Sequence, residues 1–152
     1  MQSKSPRYWD DYEIGQKFDL GSTSFTADEI VDFARQYDPQ SFHVDAAAGR
    51  QSMFGSLIAS GWHVTAKLMR LFVDSYVDQR TALGSPGVDE VRWMKPVRPG
   101  DTLIAWVECT GKVPSRSRPE MGVVHEQWCA TNQKGELVMT LKGTNMVRRR
   151  PA

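Results

Sequence analysis

The sequence predicts an α+β fold, and three observations carry that prediction. A capped amphipathic helix in the first third ends at a proline. A second, longer segment is apolar around most of a helical circumference. From Val88 onward the chain reads as four strands separated by turns. A long apolar helix and a sheet each need a surface to bury against, and one sheet curled round the helix serves both.

The elements follow in order. Lys17–Phe25 (KFDLGSTSF) can be extended. Thr26-Ala27-Asp28-Glu29 forms a capping box, in which the Thr26 hydroxyl accepts from the third helical amide and Glu29 reaches back. Ile30, Phe33, Ala34 and Tyr37 recur at helical spacing, and Pro39 disfavours helical geometry at Asp38. Ala46–Gly55 allows at most a short helical turn. The long helix is expected from Ser60 or Gly61 to about Val77. Trp62, Thr65, Ala66, Met69, Phe72 and Val73 lie on one side, and Leu68, Leu71 and Tyr76 widen the arc. Val88–Val97, Thr102–Thr110, Val123–Asn132 and Leu137–Val147 are rich in β-branched and aromatic residues and read as antiparallel strands. Turns fall at Arg98–Asp101, Lys112–Gly122 and Asn132–Glu136. The expected architecture is a single hot-dog domain over residues 1–152, core about 12–147, with a curled antiparallel sheet wrapped around a long central helix.

Composition narrows the function. The chain has 152 residues, 40% hydrophobic and 24% charged, with five tryptophans, which is a globular composition. A net charge of +1 gives no electrostatic reason to expect nucleic acid. The start, MQSKSPRYWDD, has no apolar core region, and no run approaches the ~18 apolar residues of a membrane span, so a cytoplasmic chain without membrane contact is expected. Cys109 and Cys129 are expected as free thiols. His43, His63 and His125 show no HxxxH spacing and the cysteines no CxxC, so no metal site is expected.

The stretch YDPQSFHVD places Asp38 and His43 on either side of a proline turn, just after the first helix. Together with FGSLIASGWHVTAKLMRL and VRWMKPVRPGDTL it resembles the MaoC-like hydratase/dehydratases, hot-dog proteins related to (R)-specific enoyl-CoA hydratases. The resemblance runs from about Tyr12 to Val147. The family motif Asp-x-Asn-Pro-x-His sets its acid on Asp38 and its histidine on His43. The glycine of the family's Ile-Ala-His-Gly segment falls on Gly61. The motif's Asn and Pro are Gln40 and Ser41 here, the Gly before its Asp is Tyr37, the His before its glycine is Ser60, and a serine some members carry along the helix is Met69.

The resemblance implies reversible hydration of a 2-enoyl-CoA to a (R)-3-hydroxyacyl-CoA, at the interface of a homodimer or a higher oligomer of dimers. Coenzyme A is part of the substrate, and no cofactor is expected. Such a reaction needs a base for water, an acid for the α-carbon and a donor for the thioester oxygen. Asp38 and His43 are the acid–base pair in this reading. The Gly61 amide, at the first turn of the long helix, is the oxyanion donor; otherwise Gly61 is a packing glycine under Trp62. Ser60 is read as a helix cap, His63 and His125 as structural. Trp62, Trp93, Trp106 and Trp128 are read as core or interface aromatics, and Arg92, Lys95 and Arg98 as a solvated cluster. Two rivals stand beside the hydratase: a hot-dog acyl-CoA thioesterase, and a non-catalytic acyl-CoA-binding module.

Overall fold

The computed structural model describes residues 5–152, so the first four residues of the polar lead lie outside it. After a short 3-10 turn at Trp9–Asp11 come β1 (Lys17–Ser24), α1 (Ala27–Tyr37), α2 (Ser41–Val44), α3 (Ala46–Gln51) and α4 (Gly61–Ser75). The second half is β2 (Gly87–Trp93), β3 (Thr102–Pro114), β4 (Met121–Thr131) and β5 (Leu137–Arg148). The strands form one antiparallel sheet in the order β1-β3-β4-β5-β2, which is the hot-dog fold.

Local chemistry sets the ends of α1. The Glu29 amide donates to Thr26 Oγ1 at 3.1 Å and the Thr26 amide donates to Glu29 Oε2 at 3.0 Å, which completes the capping box. Tyr37 is the last helical residue, and Asp38 is the C-cap, its amide still bonded to Ala34 O.

One stripe of α4 is core. Val64, Leu68 and Phe72, each four residues on, pack with Tyr76 against Leu20, Leu103, Val107, Val124 and Trp128. The stripe expected from Trp62 and Met69 is not core, since these residues are 57% and 44% exposed. The apolar arc is wider than the strip the sheet can cover, so one edge of it faces outward.

The strand ends differ from the sequence reading for identifiable reasons. β2 stops at Trp93 instead of Val97, because the Met94 and Lys95 amides both turn to Val138 O and Pro96 has no amide to offer. β3 runs on to Pro114, paired through Val113↔Val123 beyond a bulge at Cys109/Gly111, and this shortens the Lys112–Gly122 loop. Both cysteines are free. Among the described residues no helix is long and apolar enough to cross a membrane.

Candidate active site

The turn after α1 brings Asp38 and His43 together. Pro39 breaks the helix, and the single turn of α2 swings His43 back towards the carboxyl it follows. His43 Nε2 lies 3.3 Å from Asp38 Oδ2, with the histidine buried and the carboxyl partly open. On its other side His43 Nδ1 is 2.7 Å from the Ile58 carbonyl oxygen. A carbonyl only accepts, so Nδ1 carries a proton and Nε2 is the nitrogen free to exchange one.

Two further side chains hold Asp38, and both are departures from the family motif. Ser60 Oγ donates to Asp38 Oδ2 at 2.7 Å, and Gln40 Nε2 donates to Oδ1 at 2.8 Å. Ser60 therefore does not cap α4 as read from sequence; its side chain makes no capping bond. Burial acts to raise the Asp38 carboxyl, but the Gln40 and Ser60 hydrogen bonds and the nearby His43 outweigh it and hold the group below the usual carboxylate range.

Gly61 opens α4 beside this pair. Its amide is in the first turn, where no intrahelical acceptor exists. The glycine's packing neighbour is Trp93, not Trp62: a Cβ at Gly61 would sit 2.4 Å from two Trp93 ring carbons. The indole is fixed there, because Trp93 Nε1 donates to Thr65 Oγ1 at 3.1 Å and that hydroxyl donates to Gly61 O at 2.8 Å. Asp38, His43, Gly61, Trp62, Trp93 and Lys95 share the wall of one cavity of about 390 Å³.

The other residues singled out from the sequence have neighbours outside the site. Arg92 pairs with Glu90, Lys95 with Glu136, and Arg98 bonds Phe54 O and Ser56. His63 stacks on Phe33, and His125 bonds Thr144. Among the described residues no three His, Cys, Asp or Glu side chains converge as metal ligands. Sequence reading missed Gln40, Ser60 and Trp93 as parts of the site. Gln40 was within reach of local reasoning, two residues beyond Asp38 across a proline. Ser60 and Trp93 are 22 and 55 residues away along the chain, and nothing local marks them.

The sequence model of the MaoC like domain matches residues 11–129. The chain belongs to the MaoC-like family. Within that family of hydratases and dehydratases, it is similar to the Bacillus subtilis protein YdeM, at 31% identity over 88% of this chain and 97% of that one. It is 27% identical to the β-methylmalyl-CoA dehydratase of Chloroflexus aurantiacus over 83% of this chain, but spans only 36% of that protein's length. The crystal structure of the MaoC-like dehydratase from Rhodospirillum rubrum superposes with a TM-score of 0.89 at 39% identity, covering 96% of this chain and 99% of that one.

Proposed function

We propose that this MaoC-like chain is a hydro-lyase that reversibly adds water to a 2-enoyl-CoA and gives the (R)-3-hydroxyacyl-CoA. The observation that carries the reading is the 3.3 Å approach of His43 Nε2 to Asp38 Oδ2. Water within hydrogen-bond reach of both atoms gives up a proton to Asp38 while its oxygen bonds to the β-carbon. The carbon–carbon π electrons move to the α-carbon, which takes the proton from Nε2 of His43 in its imidazolium form. Asp38 is then protonated and His43 neutral, and proton transfer across their contact restores both. The Ile58 carbonyl keeps Nδ1 protonated throughout, so each exchange is confined to Nε2. The Gly61 amide, at the positive end of the α4 dipole, is placed to donate to the thioester oxygen as charge develops there. No electrons leave or enter, so no redox cofactor is required, and coenzyme A enters only with the substrate.

A thioesterase would send water to the carbonyl instead, which needs a base for water but no acid for an α-carbon, so the pairing of His43 with Asp38 favours the hydratase. A non-catalytic binder is disfavoured because the replaced Gln40 and Ser60 both grip Asp38. The deciding assay follows the ultraviolet absorbance of crotonyl-CoA and the release of free thiol together. Loss of absorbance without thiol supports the hydratase; thiol release identifies the thioesterase, and no change in either identifies a binder.

We also propose that the active unit is a homodimer. Trp62 on α4 meets Trp93 on the edge strand β2 edge-to-face at 5.1 Å. These rings, together with Met69 and Val88, are large apolar groups left exposed on the single chain. A second copy laid against β2 would cover them and the free strand edge.

A further inference from the structure

The cavity of Asp38 and His43 is followed along α4 by a second, apolar cavity of about 180 Å³, and the two share no lining residue. Three elements pass both in turn. α4 lines the first with Gly61 and Val64 and the second with Met69 and Phe72. β5 lines the first with Val138 and the second with Leu141, while β2 lines the first with Trp93 and the second with Val88. Two cavities laid end to end along the same elements have a wall between them.

That wall is built from three side chains. The Trp93 indole crosses from β2 to α4, where Nε1 donates to Thr65 Oγ1 at 3.1 Å. Met139, the register partner of Trp93 on β5, is fully buried, and its sulfur lies 3.8 Å from the same hydroxyl. Thr65 donates in turn to Gly61 O at 2.8 Å, so the indole is tied to the residue that opens α4. Thr65 and Met139 line neither cavity, and Trp93 lines only the first.

In an acyl-CoA complex the acyl group is the part that enters. Coenzyme A carries phosphates that cost too much to bury, and it is larger than a cavity of about 390 Å³, so it stays at the mouth. The acyl end then points to the buried floor at Val64, Val97 and Val138. Val64 adjoins Thr65 in α4, so a lengthening chain next meets the indole.

We propose that Trp93 is a specificity-determining residue, whose indole closes the acyl path and restricts the substrate to short acyl groups. The proposal rests on reading the Asp38–His43 cavity as the acyl-CoA site. Beyond the indole lies apolar space that a short chain never reaches. A void of about 150 Å³ takes benzene, so the second cavity has room for a six-carbon tail once the indole is gone.

Calorimetric titration with butyryl-CoA and octanoyl-CoA tests this without turnover, since neither has a double bond to hydrate. The unaltered protein should bind butyryl-CoA the more tightly. Each methylene taken out of water is worth about four-fold in affinity, so Trp93→Ala and Trp93→Leu should raise octanoyl-CoA affinity roughly ten-fold or more. Butyryl-CoA affinity should change little. Thr65→Val keeps the ring but removes its anchor, and should move the ratio the same way by a smaller step. Octanoyl-CoA binding the unaltered protein as tightly as butyryl-CoA overturns the proposal. So does an unchanged ratio in a tryptophan variant that melting and light scattering show to be folded and assembled like the unaltered protein. If the tryptophan variants lose fold or assembly, an unchanged ratio in Thr65→Val overturns it instead. Hydration of crotonyl-CoA is followed in parallel: its absence ends the hydratase reading, while the titrations still decide the role of Trp93. Failure to bind either thioester ends both.

Discussion

At the scale of single residues, the proposed site pairs a carboxylate with an imidazole, each held by further hydrogen bonds. Asp38→Asn and His43→Gln should each lower kcat by ~10²–10⁴-fold with the fold intact, as circular dichroism and the melting curve would confirm. The double variant should be little worse than either single, since in the proposed mechanism the two act on one water. A folded single variant within a few-fold of the unaltered protein would end the assignment. Ser60→Ala gives a different signature. It removes a donor that holds the Asp38 carboxyl down, so that pKa rises and the acidic limb of the kcat/KM profile moves to higher pH. Gln40→Ala should move it the same way. An unshifted limb in both variants would mean that Asp38 is not the base. The convergence of Asp38 and His43 was legible in the sequence because proline and the five-residue offset mark a turn that brings its flanks together. The grip on Asp38 from Ser60 was not, because a contact across 22 residues leaves no periodicity behind.

At the scale of elements, α4 joins packing and the proposed chemistry at its first residue. Sequence reading left Gly61 between an oxyanion role and a packing role, and the Trp93 indole lying 2.4 Å from any Cβ there makes the packing requirement real. A single substitution therefore cannot separate the two. Gly61→Ala should lower both the melting temperature and kcat/KM. Adding Trp93→Ala opens the space and should recover much of the melting temperature. If the substrate oxygen approaches the helix over Gly61, kcat/KM stays low in the double variant. Recovery of activity in step with stability would leave Gly61 a packing residue only. The extent of α4 and the α1 capping box were readable because both are written within a few residues. Which edge of the α4 arc meets the sheet was not, since spacing fixes the arc and only the curvature of the sheet selects Val64, Leu68 and Phe72.

Across the whole molecule, two predictions concern stability and assembly. Light scattering should report about twice the chain mass of 17.2 kDa, and Trp62→Glu should shift the protein towards one. A fully active monomer would refute the interface. The second concerns Glu126, whose inward position was within reach of strand alternation: it is in phase with the buried Val124, Trp128 and Ala130. Burial raises its carboxyl from 4.5 to about 7, against the opposing influence of the Tyr76 hydroxyl, Asn145 and Arg7. Unfolded chains lose this proton near 4.5 and the folded protein keeps it until about 7. Stability from this group is therefore full below 4.5 and falls as pH rises to 7, by an amount on the order of 3 kcal/mol. Glu126→Gln carries no such charge. Its melting temperature should overtake that of the unaltered protein progressively between pH 4.5 and 7, and parallel curves would show that Glu126 ionises normally.

The segment between Ile58 and Gly61 is held through its main chain. The Ile58 amide donates to Phe42 O, the Ile58 carbonyl accepts from His43, and the Ala59 amide donates to Val97 O. None of these contacts depends on which side chain stands at 58 or 59. Exhaustive replacement at those two positions should therefore be permissive for any apolar residue of suitable bulk, with proline the exception at both because it has no amide to give. Gly61, two positions on, should tolerate almost nothing, because a Cβ there meets the Trp93 indole, whereas position 60 is Ser here and His in the family motif. Positions 58 and 59 are thus held by their main chain and position 61 by its packing, so similarity across this stretch is informative only when it is counted residue by residue.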